Sequence, residues 1–509
     1  MFSSVLSADV RGITGVPILV ETDVSDGLPG FIMVGYLASA VKESADRVRT
    51  ALKNTGISLP PKKITVNLAP ADTKKEGTGF DLAIAVSLMC ALGMFPKESV
   101  ENVLFLGELG LDGTVKKIRG VLPMVELAKE LGCKACVVPE GNLAEGQIVK
   151  GISCIGAATL REVLNIIIAK NYKMSKSVAY KIEETQEKPL DFSQIRGQEG
   201  VKEAAKLAAA GRLNLLMIGP PGSGKTMIAR RIPTILPPMS EMEQLEVTKI
   251  YSVCGLLPEG IPLMKVRPFR APHHTISVSA MVGGGRQVMP GEVSLATHGC
   301  MFLDEITEVP RNVLESLRQP LEDKQVQISR VSGNALFPAN TMVVAAMNPC
   351  RCGYFPDMQK CKCDARSVNL YLKKISMPFL DRMDLCVEAP RLAFSELTGK
   401  NSEGESSAKM RDVVLCAHQM QLERYQGTTY RFNADVKGSD SEEYFRVSKK
   451  EKQLLEDAFE KLQLTARSYH KILKVARTAA DIECKKDIET GHVLKAICYR
   501  SVDRKFWAV

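Results

Sequence analysis

The chain has 509 residues, of which 45% are hydrophobic and 25% are charged, a composition far from that of disordered, collagen-like or membrane proteins. At ~150 residues per domain, this length predicts roughly three domains. Lys and Arg total 67 against 58 Asp and Glu, so the net charge of +9 allows an anionic partner such as nucleic acid without requiring one.

Secretion and membrane insertion are not expected. The longest apolar stretch, residues 82–95, is shorter than the ~20 residues that cross a bilayer. The first residues lack the basic start and apolar core of a signal peptide, so we expect a cytoplasmic protein with no membrane partner. In that reducing compartment the 14 cysteines are expected to be free thiols or metal ligands rather than disulfides.

Hydrophobic periodicity divides the chain into an α/β region, a linker, a second α/β region and a helical region. In the first region, 1–170, the predicted strands are 17–22, 63–68 and 135–139, and the predicted helices are 40–54, 81–92 and 122–131. The charged segment 171–190 is interpreted as a linker because it has few large apolar residues. The second α/β domain is expected at 191–391 and the helical domain at 392–509.

The strongest motif lies between a strand-like run at 215–218 and a helix-like run at 227–232. It fits G-x-x-x-x-G-K-[ST] in the strand–loop–helix context of a phosphate-binding loop (P-loop). Glycines let backbone N–H groups surround phosphate oxygens. Lys225 is expected to neutralise the β- and γ-phosphates of ATP, and the Thr226 hydroxyl to bind Mg²⁺. The loop consists of Gly219, Pro220, Pro221, Gly222, Ser223, Gly224, Lys225 and Thr226.

Two further apolar runs end in polar residues that suit the same site. The run 300–303 ends at Asp304 and Glu305, where Asp304 is expected to hold Mg²⁺ and Glu305 to act as general base toward water. The run 342–347 ends at Asn348. This amide suits contact with the lytic water and the γ-phosphate, and the alternative is that it simply begins a turn before proline.

Two arginines are candidates for stabilising the negative charge of a transition state. Arg382 lies in a Leu-Asp-Arg-Met-Asp segment, and Arg467 lies in a Leu-Thr-Ala-Arg-Ser segment. On residue type alone, each is equally consistent with an ordinary surface arginine.

In this order, the motifs resemble those of AAA+ ATPases of the magnesium-chelatase-like branch, and specifically the ComM/YifB family. The resemblance implies that Asn348 is the sensor 1 residue, that Arg382 is an arginine finger reaching a neighbour's ATP, and that Arg467 is the sensor 2 residue of a C-terminal lid. A finger acting on a neighbour needs a ring, so the family implies a homohexamer. The residues that carry the resemblance are 269–275, 282–285, 290–292, 302–305, 345–350 and 380–384.

The first 170 residues resemble the Lon-protease-type domain that this family carries before its ATPase. In Lon proteases a serine pairs with a later lysine, but the matching positions here hold Gly79 and Leu122. Without a nucleophile and its base there is no covalent route to peptide hydrolysis, so we expect a protease fold that lacks the catalytic dyad. Thr78, Lys116 and Lys117 stay as alternatives if this local alignment slips by a residue.

Four of the 14 cysteines form two closely spaced C-x-C pairs, Cys350 with Cys352 and Cys361 with Cys363. Four thiolates suit tetrahedral Zn²⁺, and because they leave no open position we expect a structural rather than a catalytic ion. The alternative is four reduced thiols in a loop.

Residues 261–291 contain no Asp or Glu and include a run of glycines. A flexible basic loop suits contacts to the phosphate backbone of DNA. A predicted hairpin at 325–337 is a second candidate, and in related ring helicases two such hairpins line the central pore. The alternative is a positive face that contacts acidic neighbours. The candidate DNA contacts are Arg270, His273, His274, Arg286 and Arg330.

These features predict an ATP-driven hexameric motor on single-stranded or branched DNA, acting as a helicase or branch-migration factor in recombination or natural transformation. Recombination proteins are the expected further partners. Two other functions stay open: the ATPase subunit of a magnesium chelatase, and an ATP-driven protein-remodelling or adaptor module.

Overall fold

The computed structural model describes six segments of the chain, whose residues fall into two compact units. The first unit takes Met1–Glu184, Glu241–Met264 and Gln327–Phe337, and the second takes Thr185–Ser240, Lys265–Val326 and Pro338–Val509. Two stretches from later in the sequence therefore pack with the N-terminal residues. The described segments are 1–175, 190–285, 288–330, 333–391, 404–462 and 464–507.

The first unit is built around a mixed seven-stranded β-sheet. The strands along this part of the chain are β1 (Phe2–Arg11), β2 (Thr14–Ser25), β3 (Gly30–Val34), β4 (Lys63–Ala69), β5 (Val103–Phe105), β6 (Glu108–Leu109), β7 (Val115–Lys116), β8 (Ala135–Pro139) and β9 (Ser153–Ala157). The sheet order is β3-β4-β2-β1-β5-β8-β9, antiparallel where β2 meets β1 and β4 and parallel elsewhere. The three predicted strands of this region lie within β2, β4 and β8.

The helices of this region cover the sheet with apolar surfaces. They are α1 (Ser39–Lys42), α2 (Ser44–Asn54), α3 (Asp81–Ala91), α4 (Val121–Glu130), α5 (Leu143–Gly146) and α6 (Leu160–Ile168). Every residue of α3 is buried because this helix, apolar on all sides, packs against β1 and β2. The predicted helix 40–54 is two helices, separated at Glu43.

The second unit contains a five-stranded parallel β-sheet. The strands of this half are β10 (Leu215–Ile218), β11 (Phe269–Arg270), β12 (Gly283–Gly284), β13 (Met289–Pro290), β14 (Cys300–Leu303), β15 (Gln325–Arg330), β16 (Gly333–Pro338), β17 (Met342–Met347) and β18 (Leu385–Glu388). The sheet order is β11-β14-β17-β10-β18, with parallel pairing throughout. β10, β14 and β17 are fully buried, which explains their continuous apolar runs.

Most of the remaining helices flank this sheet or form the C-terminal region. They are α7 (Glu199–Gly211), α8 (Lys225–Ile235), α9 (Glu241–Cys254), α10 (Val278–Val282), α11 (Glu292–Leu295), α12 (Arg311–Ser316), α13 (Arg318–Asp323), α14 (Ala365–Leu372), α15 (Met377–Leu380), α16 (Ser407–Arg424), α17 (Ser441–Tyr444), α18 (Lys449–Lys461), α19 (Ala466–Ile482) and α20 (Thr490–Trp507). None of the described helices is both long and apolar enough to cross a membrane.

The C-terminal helices and the parallel sheet share one hydrophobic core. Val414 of α16 and Ile472 of α19 belong to the same buried cluster as Leu207 of α7, Ile228 of α8 and Met217 of β10. The helical region is therefore packed directly onto the helices that flank the P-loop.

Helix α9 follows α8 in sequence but packs within the first unit. Its Lys249 lies 2.5 Å from Glu126 of α4, and the carbonyl of Ser252 accepts a hydrogen bond from the Gly120 N–H at 3.1 Å. A Cβ at Gly255 would lie 2.8 Å from Nε of Arg119, so this glycine permits the close approach of the two segments.

Candidate active site

Three of the predicted site segments follow adjacent strands of the parallel sheet. The P-loop follows β10, Asp304 follows β14 and Asn348 follows β17, and β17 lies between the other two strands. Because parallel strands have their carboxyl ends at one edge, these segments converge there, which is where ligands bind in open α/β sheets.

The glycines of the P-loop have two different physical roles. Gly222 (φ +76°) and Gly224 (φ +87°) adopt left-handed backbone conformations, and a Cβ at either would meet nothing within 4 Å. Gly219 instead packs closely, since a Cβ there would lie 2.1 Å from the carbonyl oxygen of Ala389. The loop is thus closely packed at Gly219 and unobstructed around Gly222 and Gly224. It leads into the N-terminus of α8 at Lys225.

Lys225 is buried at the centre of this edge. Its Nζ donates to the carbonyl oxygens of Gly219 at 2.7 Å and Pro220 at 2.9 Å, and lies 3.4 Å from Oδ1 of Asn348. Burial lowers the pKa of Lys225 to about 8, although the carboxylates of Asp304 and Glu305 oppose the shift. A buried ammonium with neutral nearest partners suits an anionic ligand such as a polyphosphate.

The two residues predicted to hold Mg²⁺ contact each other. Thr226 Oγ1 donates to Oδ2 of Asp304 at 2.9 Å, and Oδ1 of Asp304 accepts from the Glu305 backbone N–H at 3.0 Å. Hydroxyl and carboxylate oxygens are the donors that Mg²⁺ prefers. The residues present therefore fit a magnesium ion.

The predicted general base, Glu305, is half-exposed at the end of β14. Its backbone has φ of 45°, a left-handed conformation that costs a non-glycine residue roughly 1 kcal/mol or more. Its side chain is 60% exposed, and Oε2 lies 4.0 Å from Nδ1 of His274. The carboxylate is thus accessible to water and adjacent to Asp304, as a base for water activation must be.

Neither the predicted arginine finger, Arg382, nor the predicted sensor 2 residue, Arg467, contacts the P-loop among the described residues. Nη2 of Arg382 lies 2.8 Å from Oε1 of Glu322, and Nη2 of Arg467 lies 2.7 Å from that same oxygen. Arg382 is buried and also donates to the carbonyls of Arg318 and Pro378. Burial lowers the pKa of Arg382, and Glu322 opposes that shift. The structure therefore brings the two arginines together through one carboxylate.

Gln198 is a site residue that no sequence motif indicated. It precedes α7 with φ of 58°, and its Nε2 donates to the carbonyl of Ser223 at 3.0 Å and of Pro390 at 2.6 Å. The side-chain oxygen is buried without a hydrogen-bond partner among the described residues. Gln198 therefore fastens the P-loop from behind, a contact visible only once the chain is folded.

The four cysteines of the two C-x-C pairs form one cluster. Their sulfurs all lie within 4.8 Å of one another, and the shortest separations are 3.3 Å for Cys350–Cys352 and 3.5 Å for Cys352–Cys361. Tetrahedral Zn²⁺ with ~2.3 Å bonds needs sulfurs about 3.8 Å apart, so the donor set fits that ion. Burial raises the pKa of Cys352, but hydrogen bonds from the Tyr354 backbone and Cys350 outweigh it and lower the value to about 6.

In the basic stretch 261–291, some cationic side chains are engaged by other groups of the chain. Glu292, just beyond it, forms a two-point ion pair with Arg270, with Nε–Oε2 at 2.6 Å and Nη2–Oε1 at 2.7 Å. Arg267 is buried and donates to backbone carbonyls, including that of His298 at 2.5 Å. Arg267 and Arg270, two of the cations described in this stretch, are thus engaged within the chain.

The remaining DNA candidates are described to different degrees. The rings of His273 and His274 are 4.1 Å apart between centroids, and Nδ1 of His273 is 2.9 Å from Oγ1 of Thr275. The hairpin predicted at 325–337 is present as β15 and β16. Arg286 lies outside the described residues, and for Arg330 only the backbone, at the end of β15, is described.

The positions matching the Lon dyad are held by structural contacts. Leu122 is buried, and its N–H donates to Oε1 of Glu145 at 2.9 Å. Thr78, the residue beside Gly79, donates its hydroxyl to Glu108. Close by in sequence, buried Asp81 pairs with Nε of Arg47 at 2.7 Å. No contact of Thr78 with a lysine occurs among the described residues.

Protein-family models match three consecutive parts of the chain. A model described as subunit ChlI of Mg-chelatase matches residues 20–142. A model described as magnesium chelatase, subunit ChlI, matches 191–397, and one for its C-terminal part matches 404–500. The matches together cover both α/β regions and the C-terminal helices.

Curated relatives align over the full length. Competence protein ComM of Haemophilus influenzae is 38% identical over 509 residues, 98% of this chain and 97% of that protein. YifB of Salmonella typhimurium is 38% identical over 493 residues, 97% of this chain and 96% of that protein. Lon protease 2 of Bacillus subtilis is 31% identical over 131 residues, 26% of this chain and 23% of the protease.

The three family matches follow the same order along the chain as the N-terminal α/β region, the P-loop region and the C-terminal helices, and the N-terminal region is Lon-like. The family carries ATP and Mg²⁺ as its cofactors, and the contact between Thr226 and Asp304 fits them. The chain therefore belongs to the ComM/YifB family of magnesium-chelatase-like AAA+ ATPases.

Proposed function

We propose that this chain couples ATP hydrolysis to movement along single-stranded or branched DNA, as a helicase or branch-migration factor in recombination or natural transformation. The observation that carries the ATPase part is the convergence of Lys225, the Thr226–Asp304 pair and Glu305 at one sheet edge. Coupling to DNA is supported by family membership and by the description of the Haemophilus influenzae relative as a competence protein.

Each residue of the edge has one role in the proposed hydrolysis. Lys225 supplies a buried positive charge toward the phosphates, and Thr226 and Asp304 hold Mg²⁺, which when bound neutralises developing phosphate charge. Glu305 accepts the proton of the attacking water. Asn348, 3.4 Å from Nζ of Lys225, orients that water and contacts the γ-phosphate.

Ring assembly as a homohexamer is the second part of the proposal. Arg382 would leave Glu322 and bind the phosphate of a neighbour's ATP, so that one anionic partner replaces another. Arg467 would act from the C-terminal helices. Arg382→Ala and Lys225→Ala proteins are each expected to be inactive alone. Mixing them is expected to restore ATPase activity, because one protein supplies the intact site and the other the finger. No recovery on mixing, with both proteins co-assembled, contradicts a finger that acts between subunits.

The DNA contacts form a third part. Arg270 would leave Glu292 to meet a DNA phosphate, and His273, His274, Arg286 and Arg330 would contribute from the same loop and hairpin. Arg270→Ala is expected to weaken DNA binding and reduce its salt dependence by about one phosphate contact. The matched control is exposed Arg446→Ala. Equal DNA affinity and equal salt dependence in both variants contradict the assignment of Arg270.

Structural zinc at the cysteine cluster is a separate proposal. Four sulfurs within 4.8 Å of one another support a thiolate metal site. Purified protein is expected to hold one Zn²⁺ per chain by elemental analysis, and a Cys350→Ser, Cys361→Ser double variant is expected to lose it. Less than half an equivalent, unchanged in the double variant, contradicts the site.

Two other functions compete, and one experiment separates all three. A magnesium chelatase subunit predicts stimulation of ATPase activity by protoporphyrin with partner subunits, and a remodelling module predicts stimulation by unfolded protein. The DNA motor predicts stimulation by branched or single-stranded DNA, with neither alternative ligand effective. Stimulation by unfolded protein but not by DNA overturns the motor while leaving the ATPase site intact.

A further inference from the structure

Two cysteines outside the four-sulfur cluster lie side by side on the C-terminal helices. Cys416 belongs to α16, and Cys484 follows the end of α19 by two residues. Their sulfurs are 3.0 Å apart, closer than the shortest separation in the four-sulfur cluster, although 68 positions separate them in sequence. Both side chains are exposed, so a small solute has access to either sulfur.

A buried ion-pair network fixes the segments that carry these thiols. Asp481 of α19 is fully buried and accepts from Arg424 of α16 at 3.0 Å and from Arg477 at 3.1 Å. Arg477 also donates to the carbonyl of Lys486 at 2.7 Å, beyond Cys484. The proximity of the sulfurs therefore follows from buried packing, and the entropy of closing that long loop is already lost on folding.

The backbone at Cys484 is held as well. Its φ is 53°, in the left-handed region, and its N–H donates to the carbonyl of Asp481 at 3.0 Å. The next residue, Lys485, donates its N–H to the carbonyl of Ala480 at 2.8 Å. These bonds end α19 in a tight turn that directs the chain at Cys484 toward α16.

We propose that Cys416 and Cys484 form a thiol–disulfide redox site, oxidised by a hydroperoxide to an intrachain disulfide and returned to two thiols by a small dithiol. The site is independent of the proposed ATPase and DNA functions. It lies outside the P-loop edge and involves none of the four clustered cysteines.

The oxidation balances in two steps. The thiolate of Cys416 attacks the terminal oxygen of the hydroperoxide, so an S–O bond forms, the O–O bond breaks, and the leaving alkoxide or hydroxide takes a proton. Cys484, on losing its proton, attacks the sulfenic sulfur, so the S–S bond forms and hydroxide leaves as water. Two thiols together give two electrons and two protons to the peroxide. A dithiol reverses the change by successive thiol–disulfide exchange.

The order of attack follows from the contact between the two sulfurs. The neighbouring Cys416 raises the pKa of the Cys484 thiol, with burial adding a smaller contribution. Cys484 therefore keeps its proton to higher pH than an ordinary thiol, which suits the resolving step, and we assign the first attack to Cys416, 3.0 Å away.

The test uses the full-length reduced protein and hydrogen peroxide. After a timed exposure the remaining thiols are alkylated, the protein is digested without reductant, and the peptides are identified by mass. We expect a cross-linked pair of peptides containing Cys416 and Cys484, which disappears on treatment with dithiothreitol. Cys498, a third exposed thiol on α20, is the internal control and is expected to stay alkylatable over the same period.

Serine variants separate the two roles. In Cys484→Ser the sulfenic acid on Cys416 has no resolving partner and is expected to accumulate as a dimedone adduct, whereas Cys416→Ser is expected to yield much less adduct on Cys484. Cys498→Ser is expected to leave the cross-link unchanged. The proposal is overturned if Cys416 and Cys484 stay as alkylatable as Cys498, or if peroxide cross-links appear without preference for this pair.

Discussion

Charged residues in the two α/β regions of this chain have different kinds of partner. In the second unit, Lys225, Thr226 and Asp304 meet at an open edge, where the buried ammonium has carbonyl oxygens as its nearest partners. In the first unit, Asp81 and Arg47 neutralise each other inside the protein. A site for a charged ligand needs a charged group with no direct ion-pair partner, and Lys225 meets this condition whereas Asp81 and Arg47 do not.

The same comparison bears on the positions that match the Lon dyad, where we expect no peptide hydrolysis. The Lon-like positions hold a glycine and a buried leucine, and the neighbouring hydroxyl of Thr78 is engaged by Glu108. The α/β architecture itself is intact, with its core packed around α3. The lack of peptide hydrolysis stays a prediction that rests on these positions, since a shared fold does not by itself imply a shared activity.

The largest expected effect is the loss of nucleotide binding at the P-loop edge of the second unit. Lys225→Ala removes the one buried positive charge at the phosphate edge, so nucleotide affinity is expected to fall by at least about 100-fold and ATPase activity to be lost. Binding of a fluorescent ATP analogue and phosphate release measure the two effects. Exposed Lys373→Ala serves as the control and is expected to behave as wild type. Nucleotide affinity within threefold of wild type in Lys225→Ala speaks against the site.

The next largest effect is a loss of folding stability in the first unit, with ATP turnover unchanged. Asp81→Ala leaves Arg47 without its buried partner and is expected to destabilise the protein by about 3 kcal/mol. Urea unfolding measures this loss, with exposed Asp112→Ala as control. ATP turnover of the folded fraction is expected to be unchanged. A stability loss no larger than that of the control indicates that the pair is dispensable.

The pH dependence of nucleotide affinity tests whether the charge of Lys225 serves to bind the ligand. Burial lowers the pKa of Lys225 to about 8, so the ammonium is lost as pH rises through that value. Nucleotide affinity is therefore expected to be constant below pH 7 and to fall by up to about tenfold per pH unit above 8. Titrations of ADP from pH 6.5 to 9.5 measure it, and a flat profile across this range contradicts the assignment.

The smallest effect concerns Asp9 at the end of β1. Burial raises the pKa of Asp9 to about 6, so the folded state favours the neutral acid and stability falls as pH rises from about 4 to 6. Asp9→Asn keeps the neutral form and is expected to stabilise the protein by about 1 kcal/mol at pH 7, with little change at pH 4. Thermal unfolding of both proteins at the two pH values provides the measurement.

Local sequence patterns were sufficient for the P-loop and for the polar ends of its neighbouring strands. Gly219 to Thr226 form one contiguous motif, and Asp304 and Asn348 each end a run of buried residues. The family resemblance, the α/β fold and the Lon-like region were predicted from such motifs and are confirmed.

Contacts between distant residues were not predictable in this way. Arg467 meets Glu322 across 145 positions, Gln198 meets Pro390 across 192, and Cys416 meets Cys484 across 68. A charge count over 261–291 likewise missed Glu292, one residue beyond the window, which pairs with Arg270. Composition reports which charges exist, whereas only tertiary packing decides which of them stay available.

The role of Glu305 tests the central claim most directly. Glu305→Gln keeps the size of the side chain but cannot accept a proton, so ATP hydrolysis is expected to fall by about 10²–10⁴-fold while ATP binding stays within threefold of wild type. Single-turnover hydrolysis of radiolabelled ATP, measured beside equilibrium binding, gives both quantities on one preparation. Hydrolysis within tenfold of wild type at equal ATP occupancy would contradict the assignment of this sheet edge as the catalytic site.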